Sequence, residues 1–196
     1  MKPFPFMLLL ICVSLAGCAT TDQERVKAFA ISAEQGDAIA QHNLGVAYRD
    51  GIGVHQSSPE ALKWFRKAAE QGHVRSQVNL GVMYIEGQGV AQDHAAAFEW
   101  YQRVAKQGHA SGQHNLGSMY LMGHGVPQDY AEAFKWYSKA AEQGHAGAQD
   151  KLGYLYNSGL GVPKNTTEAI KWWRKAADQG HPYAIEDLKR LDISHP

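Results

Sequence analysis

Cysteine is almost absent from this chain: 196 residues contain two, Cys12 and Cys18. An excess of one charge is absent too, since 19 lysines and arginines stand against 19 aspartates and glutamates. That balance argues against nucleic acid as a partner, which calls for a basic stripe. Catalytic signatures are missing. There is no Gly-x-Ser-x-Gly, no Ser-x-x-Lys, no His-Glu-x-x-His and no phosphate-binding loop. The Gly-x-Gly pairs, such as Gly87 and Gly89, follow no strand pattern, which excludes a dinucleotide fold. His109 and His114 stand five apart, off a common helical face. The sequence calls for no metal and no cofactor. The apolar share, 44%, is that of an ordinary folded protein.

What is present begins with "MKPFPFMLLLICVSLAGCAT". Lys2 precedes an apolar run from Phe4 to Ala16, and small residues follow. This reads as a secretory signal, too short and too early for a working membrane span. Leu15-Ala16-Gly17-Cys18 resembles the bacterial lipobox. That resemblance implies cleavage before Cys18 and a diacylglycerol on its thiol, with residues 1–17 as signal and 18–20 as acylated anchor. The alternative is an ordinary signal peptide with a chance cysteine, but no other processing site fits the apolar run as well. Ala19, where enteric-type sorting uses aspartate for inner-membrane retention, implies the outer membrane, facing periplasm or surface. Cleavage also removes Cys12 and leaves no internal disulfide, so core packing alone must hold the exported domain.

The remainder is periodic. "QGH" ends at His73, His109, His145 and His181, and "QGD" places Gly36 on the ladder of Gly72, Gly108, Gly144 and Gly180. Leu44-Gly45 recurs as Leu80-Gly81, Leu116-Gly117 and Leu152-Gly153. Trp64, Trp100, Trp136 and Trp172 keep the same step, as do Tyr48, Tyr84, Tyr120 and Tyr156. A fixed 36-residue period without insertions is the mark of a solenoid. Neighbouring helices pack about 8–10 Å apart, so successive copies of one histidine position cannot share a metal ion.

One unit shows the physics. From His73 to Glu86, Ser76, Leu80, Gly81 and Tyr84 fall at helical spacing, and Gly87 suits a left-handed cap. After a glycine-bearing loop, Asp93 caps a second helix that Gly108 ends. Ser57, Asp129 and Asn165 share the Asp93 position, each with glutamate three residues on (Glu60, Glu132, Glu168), the pattern of a capping box. Each repeat is then two helices, A and B. The glycine inside helix A, Gly45 and its copies, costs about 1 kcal/mol relative to alanine. A close approach of helix B offsets this, with Ala68, Ala69, Ala140 and Ala141 as the expected opposing residues. Trp64 and Trp136 are expected between the layers, as core. The histidine rung, where Asp37 stands in the first repeat, is expected to cap or pack.

The pattern A-x-x-x-LG-x-x-Y, G-x-G-V, D/N-x-x-EA-x-x-W-Y-x-KAA-x-QG resembles the Sel-one-like repeat (SLR) family, relatives of tetratricopeptide repeats. The resemblance implies an all-α, right-handed α-solenoid of stacked antiparallel helix pairs. It covers four repeats, 33–68, 69–104, 105–140 and 141–176, within a single solenoid spanning 21–196. Half repeat 21–32 (Thr21 and Glu24 forming another box) precedes them, and terminal helix 177–196, with Lys189 at the glycine rung, follows. Ten helices are expected.

The resemblance implies a non-enzymatic scaffold or adaptor for protein partners in the bacterial cell envelope. Alternatives are a hydrolase acting on cell wall or β-lactams, or a virulence lipoprotein that binds host protein. The cysteine pairs of the β-lactam-binding relatives are missing here. Positions that repeat are explained by stacking, so function should lie where repeats differ on the outer face of helix A. That face carries Val78, Val82, Ile85, Leu121 and Met122, expected as an exposed apolar strip. Asn43, Asn79 and Asn115 flank it, with Lys151 on the fourth rung, and His114 and Tyr154 share the face. Similar solenoids hold protein or peptide in the concave groove these positions line, where amides can bind an extended backbone. Alternatives are that the asparagines only tie structure together, or that the strip meets a membrane or a second copy.

Overall fold

The computed structural model describes residues 21–191; the lipobox, Cys18 and residues 192–196 lie outside them. Among the described residues there are ten helices and no strand. They are α1 (Asp22–Glu34), α2 (Ala38–Asp50), α3 (Ser58–Glu70), α4 (Val74–Glu86), α5 (His94–Lys106), α6 (Ala110–Met122), α7 (Tyr130–Glu142), α8 (Ala146–Ser158), α9 (Thr166–Ala177) and α10 (Pro182–Arg190). Even-numbered helices are the A type and odd-numbered the B type. Each helix packs chiefly on those before and after it, the quasi-one-dimensional arrangement of an α-solenoid.

Local chemistry sets the ends. Each of the first four A helices stops at a left-handed glycine, with φ between 68° and 71° at Gly51, Gly87, Gly123 and Gly159. Each loop then folds back onto the preceding tyrosine: Ser57, Asp93, Asp129 and Asn165 donate backbone N–H to the carbonyls of Tyr48, Tyr84, Tyr120 and Tyr156 at 2.8–3.0 Å. The same four residues cap the B helices through their side chains. The full capping box forms only at Thr21 and Glu24. In α3, α7 and α9 the expected box does not close, because Glu60, Glu132 and Glu168 turn to Lys63, Lys135 and Lys171 at 3.2, 2.8 and 2.6 Å.

The core alternates between Leu44, Leu80, Leu116 and Leu152 on the A helices and a stripe of alanines on the B helices, all but inaccessible. The helix glycines meet aromatic rings, not the alanines expected. Cβ atoms on Gly45 and Gly153 would lie 2.7 Å from Phe65 and Trp173, and those on Gly81 and Gly117 would press on Tyr101 and Tyr137. The tryptophan ladder is also only partly core. Trp64 is buried, while Trp100, Trp136 and Trp172 are half-buried under cations, with Lys175 Nζ 4.0 Å above the Trp172 ring.

A buried glutamine stands in each of the first four A helices, and two of them, Gln41 and Gln149, bond both the preceding helix and the end of the following one. Gln41 donates to Ala33 O of α1 at 3.0 Å and accepts from Gln71 of α3 at 2.7 Å. Gln113 with Gln143, and Gln149 with Gln179, repeat the amide-to-amide bond at 2.7 and 2.8 Å. Glutamine of "QGH" therefore satisfies a buried partner at three of four copies, leaving Gln77 Oε1 unpaired at the other.

Candidate functional site

The outer face of the A helices carries the candidate residues, and the structure divides them. Leu121 does not belong to the exposed strip: it is 7% exposed and packs with Tyr137 and Leu155. Helix periodicity put it outward, but the following repeat covers it. Val78 and Ile85 are half-buried against the cluster of Tyr101 and Met119, and Val82 is half-buried as well. Met122, 57% exposed, and Tyr154, 44% exposed, are the open apolar positions of the set.

Asn43, Asn79 and Asn115 are half-buried, and among the described residues none of their side-chain amides has a hydrogen-bond partner. Each lines an open depression of its own. Asn43 lies with Val26, Phe29 and Ile52. Asn79 lies with Val46, Arg75 and Val78. Asn115 lies with Ile85, Met122 and His124. On the fourth rung Lys151 lies with Met122, Tyr130 and Tyr154. Lys151 bonds Asp150 at 3.2 Å, and Asp150 is buried with its other oxygen lacking a hydrogen bond. A half-buried amide with no internal partner retains its full capacity for two donors and an acceptor.

His114 points into the junction between repeats. Its ring stacks on His145 at 4.6 Å and tilts against Tyr137 at 5.5 Å. Burial, then the neighbouring His145, lowers its pKa to about 4. A second pair forms at the first junction, where His42 and His73 lie 4.5 Å apart. The capping role expected for the histidine rung is filled at two positions. His73 and His145 accept backbone N–H from Ser76 and Ala148 at 3.3 and 3.1 Å, whereas His109 and His181 cap nothing. Among the described residues no group of three or more His, Cys, Asp or Glu could hold a metal ion. No helix among them is long and apolar enough to cross a membrane.

Four consecutive segments, 38–73, 74–109, 110–145 and 146–181, match the Sel1 repeat, each opening on the first residue of an A helix. The chain belongs to the Sel1 repeat family. Sel1-repeat proteins are protein-interaction scaffolds and generally non-catalytic, and they bind protein partners. The chain is 40% identical, with a TM-score of 0.82, to a protective antigen present in uropathogenic Escherichia coli strains that displays an SLR fold. That match covers 85% of this chain but 36% of the antigen, so the chain spans about a third of its relative. A Sel1 repeat protein from Oxalobacter formigenes is 34% identical with a TM-score of 0.82, covering 86% of this chain and 67% of that one. Helicobacter pylori cysteine rich protein B is 26% identical over 67% of this chain and 98% of its own, with a TM-score of 0.54. No curated protein matches the chain.

The glutamine pairs and the two histidine pairs are the site-adjacent features that sequence reasoning passed over. Their signal was present: glutamine recurs at the 41 and 71 rungs of every repeat.

Proposed function

We propose that this chain is a non-enzymatic adaptor of the bacterial cell envelope, lipid-anchored at Cys18 in the outer membrane. It holds an extended protein segment along the concave A-helix face. The carrying observation is the row of unpartnered amides on Asn43, Asn79 and Asn115, one per repeat, each in an open depression. An extended backbone presents a donor and an acceptor at every residue, and regularly spaced amides can pair with them. Half-buried Val78, Val82 and Ile85, with exposed Met122 and Tyr154, offer apolar contact beside the amides. The Escherichia coli relative is a protective antigen, which accords with a place in the envelope.

The test has two arms. The lipidated chain, used as bait on detergent-solubilised membranes, should retain a partner that is lost when Asn43, Asn79 and Asn115 are changed together to alanine. Val82→Glu with Met122→Glu should do the same. Leu121 is left intact because a charge there would disrupt the core. A folded variant that keeps full affinity excludes the face. For the anchor, Cys18→Ser should abolish fatty-acid labelling and membrane fractionation. Retention of both overturns that part.

A further inference from the structure

Three of the four junctions between repeats bring an A-helix residue against the N-cap of the next A helix, and the four differ. His42 meets His73 at the first. At the second the same rungs carry Val78 and His109, and His109 caps nothing. His114 meets His145 at the third. At the fourth the buried carboxylate of Asp150 lies 3.7 Å from His181.

The hydrogen bonds at the first junction fit neutral rings. The Ser76 hydroxyl lies 2.9 Å from His42 Nδ1 and 3.0 Å from His73 Nδ1, and Ser76 N–H donates to His73 Nδ1 at 3.3 Å. His73 must accept there, so it carries no proton on Nδ1, while His42 can donate to the serine oxygen. At the third junction His145 Nδ1 accepts from Ala148 N–H in the same way. A proton on either acceptor would set N–H against N–H and uncap α4 or α8. It would also place a positive charge at a helix N-terminus, where the helix dipole opposes it.

The surroundings offer little to stabilise such charge. His42 is packed by Phe65 of α3 and feels His73 and Arg75 from the α4 side and Arg49 from its own helix. His114 is packed by Tyr137 of α7 and feels His145, Lys151 and, from the α10 cap, His181. The charges that shift these two rings are all cations. We propose that the first and third junctions are acid-released latches: paired neutral imidazoles close them, and protonation opens them. The second junction, which has no such pair, does not respond. This device goes beyond the proposed function and does not depend on what the face holds.

The direction follows from the histidines. Burial, followed by the neighbouring histidine, holds both His42 and His114 at about 4, below the ordinary 6.5. A group bound less tightly to its proton when folded stabilises the fold above about pH 6.5 and loses that contribution as pH falls towards 4.

The experiment is amide hydrogen exchange on the full chain at pH 7 and pH 4.5, corrected for intrinsic rates. Amides 76–80 and 148–152 should lose protection by at least about tenfold, the equivalent of one pKa unit, while 112–116 change by less than about twofold. His42→Val with His114→Val, which copies Val78 of the second junction, should reduce the difference, and adding His73→Asn and His145→Asn, which can cap without titrating, should abolish it. His73→Asp with His145→Asp, which copies the Asp37 cap, should reverse its sign. An equal loss across all three windows, or a response that survives the change of all four histidines, overturns the proposal.

Discussion

Val104 fills the space that a Cβ on Gly112 would need, its own Cβ lying 2.6 Å from that point. Elsewhere the same two rungs hold Ala68 with Ser76 and Ala140 with Ala148, all fully buried. In this repeat the bulk stands on the B helix instead of the A helix, matching the volume of Ala68 with Ser76 but exceeding that of Ala140 with Ala148, so the close-packed interior has adjusted locally. Gly112→Ala should therefore destabilise the fold by about 1–3 kcal/mol, the range for overpacking, despite alanine's better helix propensity. Combined with Val104→Ala, which removes the Cγ1 contact but leaves the Cβ and the Ala105 backbone N at 2.6 and 2.7 Å, part of that loss should return. Urea denaturation of both single variants and the double variant gives the coupling, and strict additivity would show the two positions to be independent.

The glutamine bonds predict a contrast between copies of one position. Gln71, Gln143 and Gln179 each donate to a buried glutamine oxygen, whereas Gln107 makes no such bond and leaves Gln77 Oε1 unpaired. Alanine at Gln143 should cost about 1–3 kcal/mol by stranding the Gln113 oxygen. Alanine at Gln107 should stay within about 0.5 kcal/mol, as at an uninvolved surface position. Equal costs by thermal denaturation would refute the distinction.

Two glycines of one loop should also differ. Gly123 and Gly125 share a φ of 71°. A Cβ on Gly123 would stand 3.3 Å from Gln128, a tight contact that a few tenths of an ångström relieve, but one on Gly125 would strike the His94 carbonyl one repeat earlier. Gly123→Ala should lose about 1 kcal/mol for its left-handed backbone. The Gly125→Ala variant should lose at least about 1 kcal/mol more, because backbone cannot give way as a side chain can. Chemical denaturation that ranks the two equally would contradict the close approach.

The ends of the array predict a monomer. Internal B helices bury Ala61, Ala97, Ala133 and Ala169, but α1 carries exposed Arg25 at that rung and Ser32 where the others have Ala68, Val104, Ala140 and Ala176. At the far end Lys189, also exposed, stands where the A helices have glycine. Polar terminal faces of this kind keep solenoids from stacking end to end. Arg25→Ala, Ser32→Ala and Lys189→Gly together should promote concentration-dependent association in light scattering. A monomer at all concentrations would mean that these residues do not cap the array.

Much of this was legible before the structure. The period, ten helices, glycine stops and cap residues are local chemistry written several times over, and each copy supports the rest. What was not legible shares one cause. A search along the 36-residue ladder compares like positions, whereas contacts between helices join unlike ones. His42 meets His73 and not Val78, its counterpart on the ladder, and Gln41 meets Gln71, 30 residues on. Spacing along helix A gave the glycine but not the rotation of helix B, so alanines were expected where Phe65, Tyr101, Tyr137 and Trp173 stand. Leu121 failed for the same reason, since one helix's periodicity says nothing of what the next repeat covers. Of the candidate face, the asparagines were legible as a row, but their lack of partners was not.

The second glycine of each loop rests on the start of the B helix one repeat before: Gly53 on Asp22, Gly89 on Ser58, Gly125 on His94 and Gly161 on Tyr130. Loops are ordinarily where a lineage gains and loses residues. Here the loop is itself a joint, so an added residue would disturb two repeats at once. Such a gene is left to vary by duplicating or deleting whole units, and the count of units, not their length, becomes the heritable variable.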